Sequence, residues 1–270
     1  MIKNDLNGKA VLVTGGTEGL GLAIGLAFGC RGAHVYLTNL WGSADEAQIL
    51  QQFSEAGAPR EPTIVDADAA EDEDIRCVVD LMRQDHESVE AFISNVSLAP
   101  MTQGIKEYRK GALFTNLGHS AWPLVDYLQH IKKTLGSYPR YVVSTSCHGP
   151  DIHYQGFDFA AVSQTVMEVL CRYIATELLD EDFRINILRS WPVLTESLVA
   201  TCGEEFEALL KKHYRDDYFV LPEEVADAVL ALCSGLMDGV SGQVILLDRG
   251  VAFPDNLMRL FEHRRENGLD

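Results

Sequence analysis

The sequence predicts an α/β fold: a doubly wound parallel sheet with helices on both faces, built as a single domain. Three observations predict it. Short β-branched runs alternate with longer helical patterns along the chain, and a glycine-rich turn joins the first strand to the first helix. No internal repeat, low-complexity tract or Pro/Ser linker divides the 270 residues, a length that one α/β domain often fills. Strict strand–helix alternation calls for right-handed crossovers, which lay the strands parallel and cover both faces of the sheet.

Taken in order, Ala10–Val13 reads as a strand, Gly19–Arg31 as a helix and His34–Thr38 as a strand. Ala44–Ala56 follows as a helix, Thr63–Asp66 as a strand and Asp72–Asp85 as a helix. Ala91–Ser94 is a strand, Leu113–Leu135 one long helix, Tyr141–Ser144 a strand and Phe159–Leu179 a helix. Arg184–Leu188 is a strand. Pro222–Leu232 opens on proline and two glutamates, the signature of a helix N-terminus, and Val244–Leu247 closes the series as a strand. The domain is expected over 1–254, with 255–270 as a C-terminal tail.

Composition narrows the function classes. Hydrophobic residues make up 47% of the chain, enough for a packed core in spite of a net charge of −18. So acidic a chain lacks the basic face that phosphate backbones need, and nucleic acid is excluded as a partner. No apolar run approaches the roughly 20 residues that cross a bilayer, and the N-terminus has no signal-peptide apolar region. A cytoplasmic protein with no membrane partner is expected. The six cysteines (30, 77, 147, 171, 202 and 233) form no CxxC pair and no zinc-like spacing, so reduced, buried thiols and no metal are expected.

Directly after the first strand comes Thr14-Gly15-Gly16-Thr17-Glu18-Gly19-Leu20-Gly21, opening a helix. A pyrophosphate docks on free N–H groups at a helix N-terminus, and a Cβ at the closest approach would block it. Glycines at 15, 19 and 21 remove that obstacle. The preceding strand and following helix are the context that makes the pattern a dinucleotide signal rather than a plain turn.

This TGxxxGxG spacing resembles the short-chain dehydrogenase/reductase family, and the resemblance covers almost the whole chain. It implies a Rossmann-type fold binding NAD or NADP. Residues Gly15, Thr17, Glu18, Gly19, Leu20 and Gly21 would then hold the pyrophosphate. Asp68 falls where the family has an aspartate near the adenine, and Ser94-Asn95-Val96-Ser97 replaces its Asn-Asn-Ala-Gly turn. Asn116 matches its helix asparagine, Ser146-Cys147-His148-Gly149 its catalytic serine segment, Asn186 its strand asparagine and Thr195 the threonine at the nicotinamide amide. After the second strand, NAD users typically carry an acid for the ribose 2′-OH and NADP users a base. Asn39 stands there, while Glu18 occupies a place where NADP users often carry arginine. A carboxylate at Glu18 would repel a 2′-phosphate, which favours NAD(H) over NADP(H). The alternative is a pocket that no longer discriminates, or holds no cofactor.

The family's chemistry uses a tyrosine hydroxyl and a lysine one helical turn later, in a YxxxK motif. No tyrosine here has lysine four residues on, and no lysine lies between Lys133 and Lys211. Counting back from Glu177 and Asn186 puts Gln164 at the lysine position and Ala160 at the tyrosine. The segments Asn95-Val96-Ser97-Leu98-Ala99-Pro100 and Ser190-Trp191-Pro192-Val193-Leu194-Thr195 resemble the enoyl-acyl carrier protein reductase branch. That branch sets its tyrosine seven residues before the lysine, which here is Phe157. In both registers the acid and the cation are replaced.

Substitutes lie between the serine strand and this helix: Ser146 as an oxygen-binding group, Tyr154 by a loop shift, His148 as acid or base near neutral pH, and Asp158. Trp191 either stacks on a ligand or fills the nicotinamide half of the pocket. The stretch 195–220 corresponds to the family's mobile substrate lid. Two functions remain open. One is an NAD(H)-dependent enzyme with a remodelled site acting on an acyl or polyketide-like carbonyl or enone, free or thioester-linked; a non-redox dehydration, isomerisation or cyclisation is its variant. The other is a catalytically silent subunit or ligand sensor paired with an active paralogue. Both imply an oligomer joined through the helices at 113–135 and 159–179, a homodimer, a homotetramer or a hetero-oligomer.

Overall fold

A strand flanked by crossover helices is buried on both faces and shows no polar alternation. In the computed structural model all four residues of β1 (Ala10–Val13) are buried, and they point alternately into two cores. The structure describes residues 4–40, 44–195 and 219–253, with the isolated positions 198, 199, 203, 205, 206, 208, 258, 261, 264 and 265. The chain continues through α1 (Gly19–Gly29), β2 (His34–Asn39), α2 (Glu46–Glu55), β3 (Thr63–Asp66), α3 (Asp72–Asp85) and β4 (Val89–Ser94). Then come α4 (Lys110–Ser120), α5 (Pro123–Leu135), β5 (Tyr141–Ser146), α6 (Asp158–Glu177), β6 (Arg184–Ser190), α7 (Pro222–Leu232) and β7 (Val244–Leu247).

The seven strands lie in the order β3-β2-β1-β4-β5-β6-β7, and every pair is parallel. Ile24 and Phe28 of α1, Phe53 of α2 and Val229 of α7 fill one core. Met82 of α3, Tyr127 of α5 and Cys171 of α6 fill the other. The chain turns one way from β1 to β2 and β3, then returns to lay β4 on the opposite side of β1. Such a reversal opens a crevice beyond the C-terminal ends of the two strands; Gly15 and Asn95 follow strand ends on that side and Ser146 is the last residue of β5.

The fold class is as expected, with one correction to the elements. The expected long helix 113–135 is two helices, broken at Ala121-Trp122. Pro123 opens α5 at its first position. Its ring nitrogen carries no hydrogen to continue the ladder of α4, and the Ala121 and Trp122 N–H groups both donate to Leu117 O. The cysteines also correct the expectation of burial. Cys171 and Cys233 are buried, but Cys30 and Cys77 are exposed; one caps α1 and the other sits on the outer face of α3.

The described residues contain no helix long and apolar enough to cross a membrane and no His/Cys/Asp/Glu group able to hold a metal ion. Most of the expected lid at 195–220, with Cys202, and most of the tail at 255–270 lie outside the described residues. At the lid's edges Val193 and Val220 form a parallel bridge.

Candidate functional site

The glycine turn is pinned from two sides. The Gly15 N–H donates to Thr38 Oγ1 at 3.3 Å and the Gly16 N–H to Thr38 O at 3.0 Å, which ties the turn to β2. From β4, the Asn95 N–H donates to Thr14 Oγ1 at 3.0 Å and Asn95 Nδ2 to Gly15 O at 3.1 Å. Thr145 holds the far end of the same amide, donating to Asn95 Oδ1 at 2.9 Å.

Two glycines are required for different reasons. A Cβ on Gly21 would stand 2.0 Å from Gly15 O, so α1 can pack against the turn only without a side chain there. Gly19 has φ +51°, in the left-handed region, and a Cβ on it would meet nothing within 4 Å. It faces open space beside the start of α1. That helix begins at Glu18 with no side-chain cap, which leaves its first-turn N–H groups pointing outward. Thr17 and Leu20 flank the opening half-buried, and Val96 lies against Gly15.

At the end of β2, Asn39 is 5% exposed, and neither its Nδ2 nor its Oδ1 has a hydrogen-bond partner among the described residues. An orphaned buried amide is costly, and such groups usually mark a missing partner. Asp68 is more fully engaged. It accepts from the Ala70 N–H at 2.9 Å, and His119 Nε2 lies 3.5 Å from its carboxylate. Thr195 Oγ1 accepts from the Leu198 N–H at 3.2 Å. The cradle and the unpartnered amide fit a dinucleotide, pyrophosphate on the N–H groups and ribose hydroxyl on Asn39.

Deeper along the crevice, the residues of the expected catalytic end divide into two sets. Asn116 is spent on structure: its Nδ2 donates to Leu98 O at 2.8 Å, and its Oδ1 accepts from Ser163. Ala160 is wholly buried in α6. Gln164, one turn later, accepts the Cys147 thiol at Oε1, 3.2 Å away. The Phe157 ring packs at the foot of α6, where a Cβ on Gly149 would come within 2.9 Å of it. Tyr154 meets Phe157 edge-on with ring centroids 5.9 Å apart, and Trp191 lies against Tyr154 at 5.1 Å. Cys147 therefore faces the lysine position. Burial pushes its thiol up, opposed by the hydrogen bond that the Gly149 N–H donates to it.

Ser146 points the other way, into a buried ionic group. Its hydroxyl donates weakly to Glu168 Oε1 at 3.4 Å. Arg189 grips Glu168 with two bonds of 2.6 Å and reaches Asp151 on the loop above. Both Arg189 and Glu168 are about nineteen-twentieths buried (5% exposed each). Burial alone would lower the guanidinium, but its carboxylate partners outweigh this and hold it charged, above its usual range. One cation against two carboxylates leaves the trio net negative beneath Ser146.

His148 is 2% exposed, with both ring nitrogens lacking a hydrogen-bond partner among the described residues. The Asp248 carboxylate is 3.9 Å from its Nε2. Burial lowers the imidazole below its usual value, against the pull of Asp248, so the ring is neutral near pH 7. Cys147, Glu168, Arg189 and Asp248 did not stand out in the sequence. The available signal was a glutamate on the buried stripe of α6 and an arginine near the end of a buried strand.

A seven-stranded parallel sheet with an open glycine cradle at its switch point defines a Rossmann-type fold. The chain belongs to the short-chain dehydrogenase/reductase family, and the family model described as Enoyl-(Acyl carrier protein) reductase matches residues 15–252. The enoyl-[acyl-carrier-protein] reductase [NADH] FabI of Aquifex aeolicus is 22% identical over 259 residues, covering 91% of this chain and 92% of that protein. A solved 7 alpha-hydroxysteroid dehydrogenase, complexed with NADH and 7-oxo glycochenodeoxycholic acid, superposes with a TM-score of 0.80 at 18% identity, covering 91% of this chain and 94% of its own. A short-chain dehydrogenase from Burkholderia cenocepacia in complex with NADP gives 0.77 at 20% identity, covering 91% and 98%. These relatives use either nicotinamide cofactor.

Proposed function

We propose that this chain binds NAD(H) at the glycine cradle and works as an oxidoreductase on a small carbonyl-type substrate, acyl or enone, without the family's Tyr/Lys proton relay. The observation that carries this reading is the pairing of the open cradle at Gly19 with the unpartnered amide of Asn39. A retired site would be expected to satisfy or lose a buried amide that costs about 1–3 kcal/mol. Asn39 can give and accept one hydrogen bond with a ribose 2′-OH. Glu18, exposed at the start of α1, adds a negative charge that disfavours a 2′-phosphate and supports NAD(H) over NADP(H).

When bound, the nicotinamide supplies the hydride. The chain's own residues position it and the substrate. Gln164 and Phe157 replace the cation and the acid, so no lysine lowers a tyrosine hydroxyl here. Cys147 donates its thiol hydrogen to Gln164 at the lysine position. His148 is walled off from solvent, which opposes its reading as an acid or base. The test is calorimetric titration with NADH and then NADPH. Micromolar NADH binding, tighter than NADPH, is the expected result, and absence of binding by both refutes the reading.

A second reading has its own observation. Val162, Val166, Val169 and Tyr173 form an exposed stripe along α6 beside the exposed Phe114 of α4. Residues spaced this way share one helix face, and an exposed apolar stripe marks an interface. We propose an oligomer through this face, with a second copy or with an active paralogue for which this chain is a silent partner. Size-exclusion chromatography with light scattering tests it, and a monomer at micromolar concentration refutes it.

A further inference from the structure

We propose that the cavity beside α6 is the substrate pocket and takes a cationic nitrogen compound, an iminium in which C=N⁺ stands where a carbonyl would. This rests on the oxidoreductase reading above and replaces the carbonyl of its substrate by C=N⁺ as the hydride acceptor.

The cavity holds about 330 Å³ between the start of α4, the loop after β5 and the start of α6. Four aromatic rings line it: Tyr108, Tyr154, Phe157 and Phe159. Tyr108 and Phe159 lie 5.1 Å apart, tilted, and Tyr154 stands edge-on to Phe157. Ring faces carry negative potential and attract organic cations. One carboxylate, Asp158, shares the lining. The Tyr108 hydroxyl donates to one of its oxygens, and Thr102 to the other at 2.7 Å. Each oxygen keeps a further lone pair. Those hydroxyls, Tyr108 first, hold Asp158 below the usual carboxylate range, so it is charged at neutral pH. Among the described lining residues His153 is the sole basic side chain, and none is lysine or arginine. Aromatic walls around an ionised acid suit a cation and repel an anion.

The cavity adjoins the altered catalytic end through Gly149, which lines it and stands against both Phe157 and Gln164. This placement makes sense of the missing acid. Hydride addition to a carbonyl leaves an alkoxide that must gain a proton. Hydride addition to an iminium carbon forms the new C–H bond while the C=N π pair becomes the nitrogen lone pair. A reduced nicotinamide is oxidised, a neutral amine forms, and no proton is exchanged. A proton-donating tyrosine, and a lysine to lower its pKa, would have no task in that step.

The experiment is calorimetric titration of the full chain, without nucleotide, with N-methyl-3,4-dihydroisoquinolinium and with its neutral carbon isostere, 3-methyl-1,2-dihydronaphthalene. The cation is expected to bind at least tenfold more tightly. Asp158→Asn should cut that preference below threefold. Tyr108→Phe, which removes a hydrogen bond and keeps the charge, should preserve it and so separates charge from packing. Equal affinities, no binding of either compound, or a preference that survives Asp158→Asn overturns the assignment. NADH is titrated into the same samples. NADH binding without cation preference overturns the cavity assignment alone, whereas cation preference without NADH binding overturns the oxidoreductase reading and leaves a cation site.

Discussion

Replacing Gly21 and Gly19 by alanine, one at a time, separates the packing role of the glycine turn from its binding role. At Gly21 the added Cβ would sit 2.0 Å from Gly15 O, 2.9 Å from Gly15 C and 2.8 Å from Asn95 Nδ2. Ordinary contact lies near 3.5 Å, so the overlap is well over an ångström, and the obstacle is backbone that cannot rotate aside. Relief requires α1 to move off the turn. That costs about 1–3 kcal/mol of overpacking, plus about 0.5–1.5 kcal/mol for the bond from Asn95 to Gly15 O. Two to four kcal/mol corresponds to a fall of roughly 10 °C in Tm for a chain of this size. At Gly19 the Cβ enters open space, and only the φ of +51° is strained, which costs about 1–2 kcal/mol. That open space is where a pyrophosphate would lie, so NADH affinity should drop at least tenfold in Gly19→Ala. Thermal melts and calorimetry read both quantities. A Gly21→Ala protein that melts like the parent, or a Gly19→Ala protein that binds NADH undiminished, would refute the reasoning.

Further outcomes follow from the same structure. Asn39→Leu removes two unpartnered polar atoms at nearly constant volume, so the nucleotide-free protein should gain about 1–2 kcal/mol in urea unfolding while NADH binding weakens. Arg189→Met strands Glu168 as an unpaired buried charge and should cost about 3–5 kcal/mol, most of it recovered by Glu168→Leu in the same chain. His34 is 3% exposed, bonded through its ring to His86 at 2.7 Å and Thr63 at 2.9 Å. Burial, with Arg60 and His86 adding to it, lowers its pKa to about 4. Between pH 6.5 and about 4 the unfolded chain takes up a proton that the folded one refuses, so stability falls as pH drops through that window. The loss should reach about 3 kcal/mol at the acid end, and His34→Gln should flatten the profile; a pH-independent unfolding midpoint in the parent would contradict it.

Much of the fold was legible because it depends on local pattern. Buried parallel strands read as short apolar runs, the helices between them read by period, and Gly15, Gly19 and Gly21 announce a turn that only glycine permits. Pro123 also carried its signal, a helix start, although the apolar period running across it made 113–135 look continuous. The degenerate positions Phe157, Ala160 and Gln164 could be counted from neighbours on the same helix, where spacing is fixed.

What tertiary structure decided are the pairings between elements far apart in the chain. Glu168 and Arg189 look like two isolated buried charges until α6 is laid on β6. Asp151 and Asp248 join Arg189 and His148 only because the loops after β5 and β7 meet at one end of the sheet. Cys147 and Ser146 are adjacent, yet one faces Gln164 and the other faces the ionic floor, since β5 ends between them and the chain turns. The residue types along the chain determined that no YxxxK motif is present and that a glycine turn opens the first helix. Which side chains spend their charge on each other, and which cavity is left to receive a substrate, is set by burial and direction, and those exist only once the sheet is assembled.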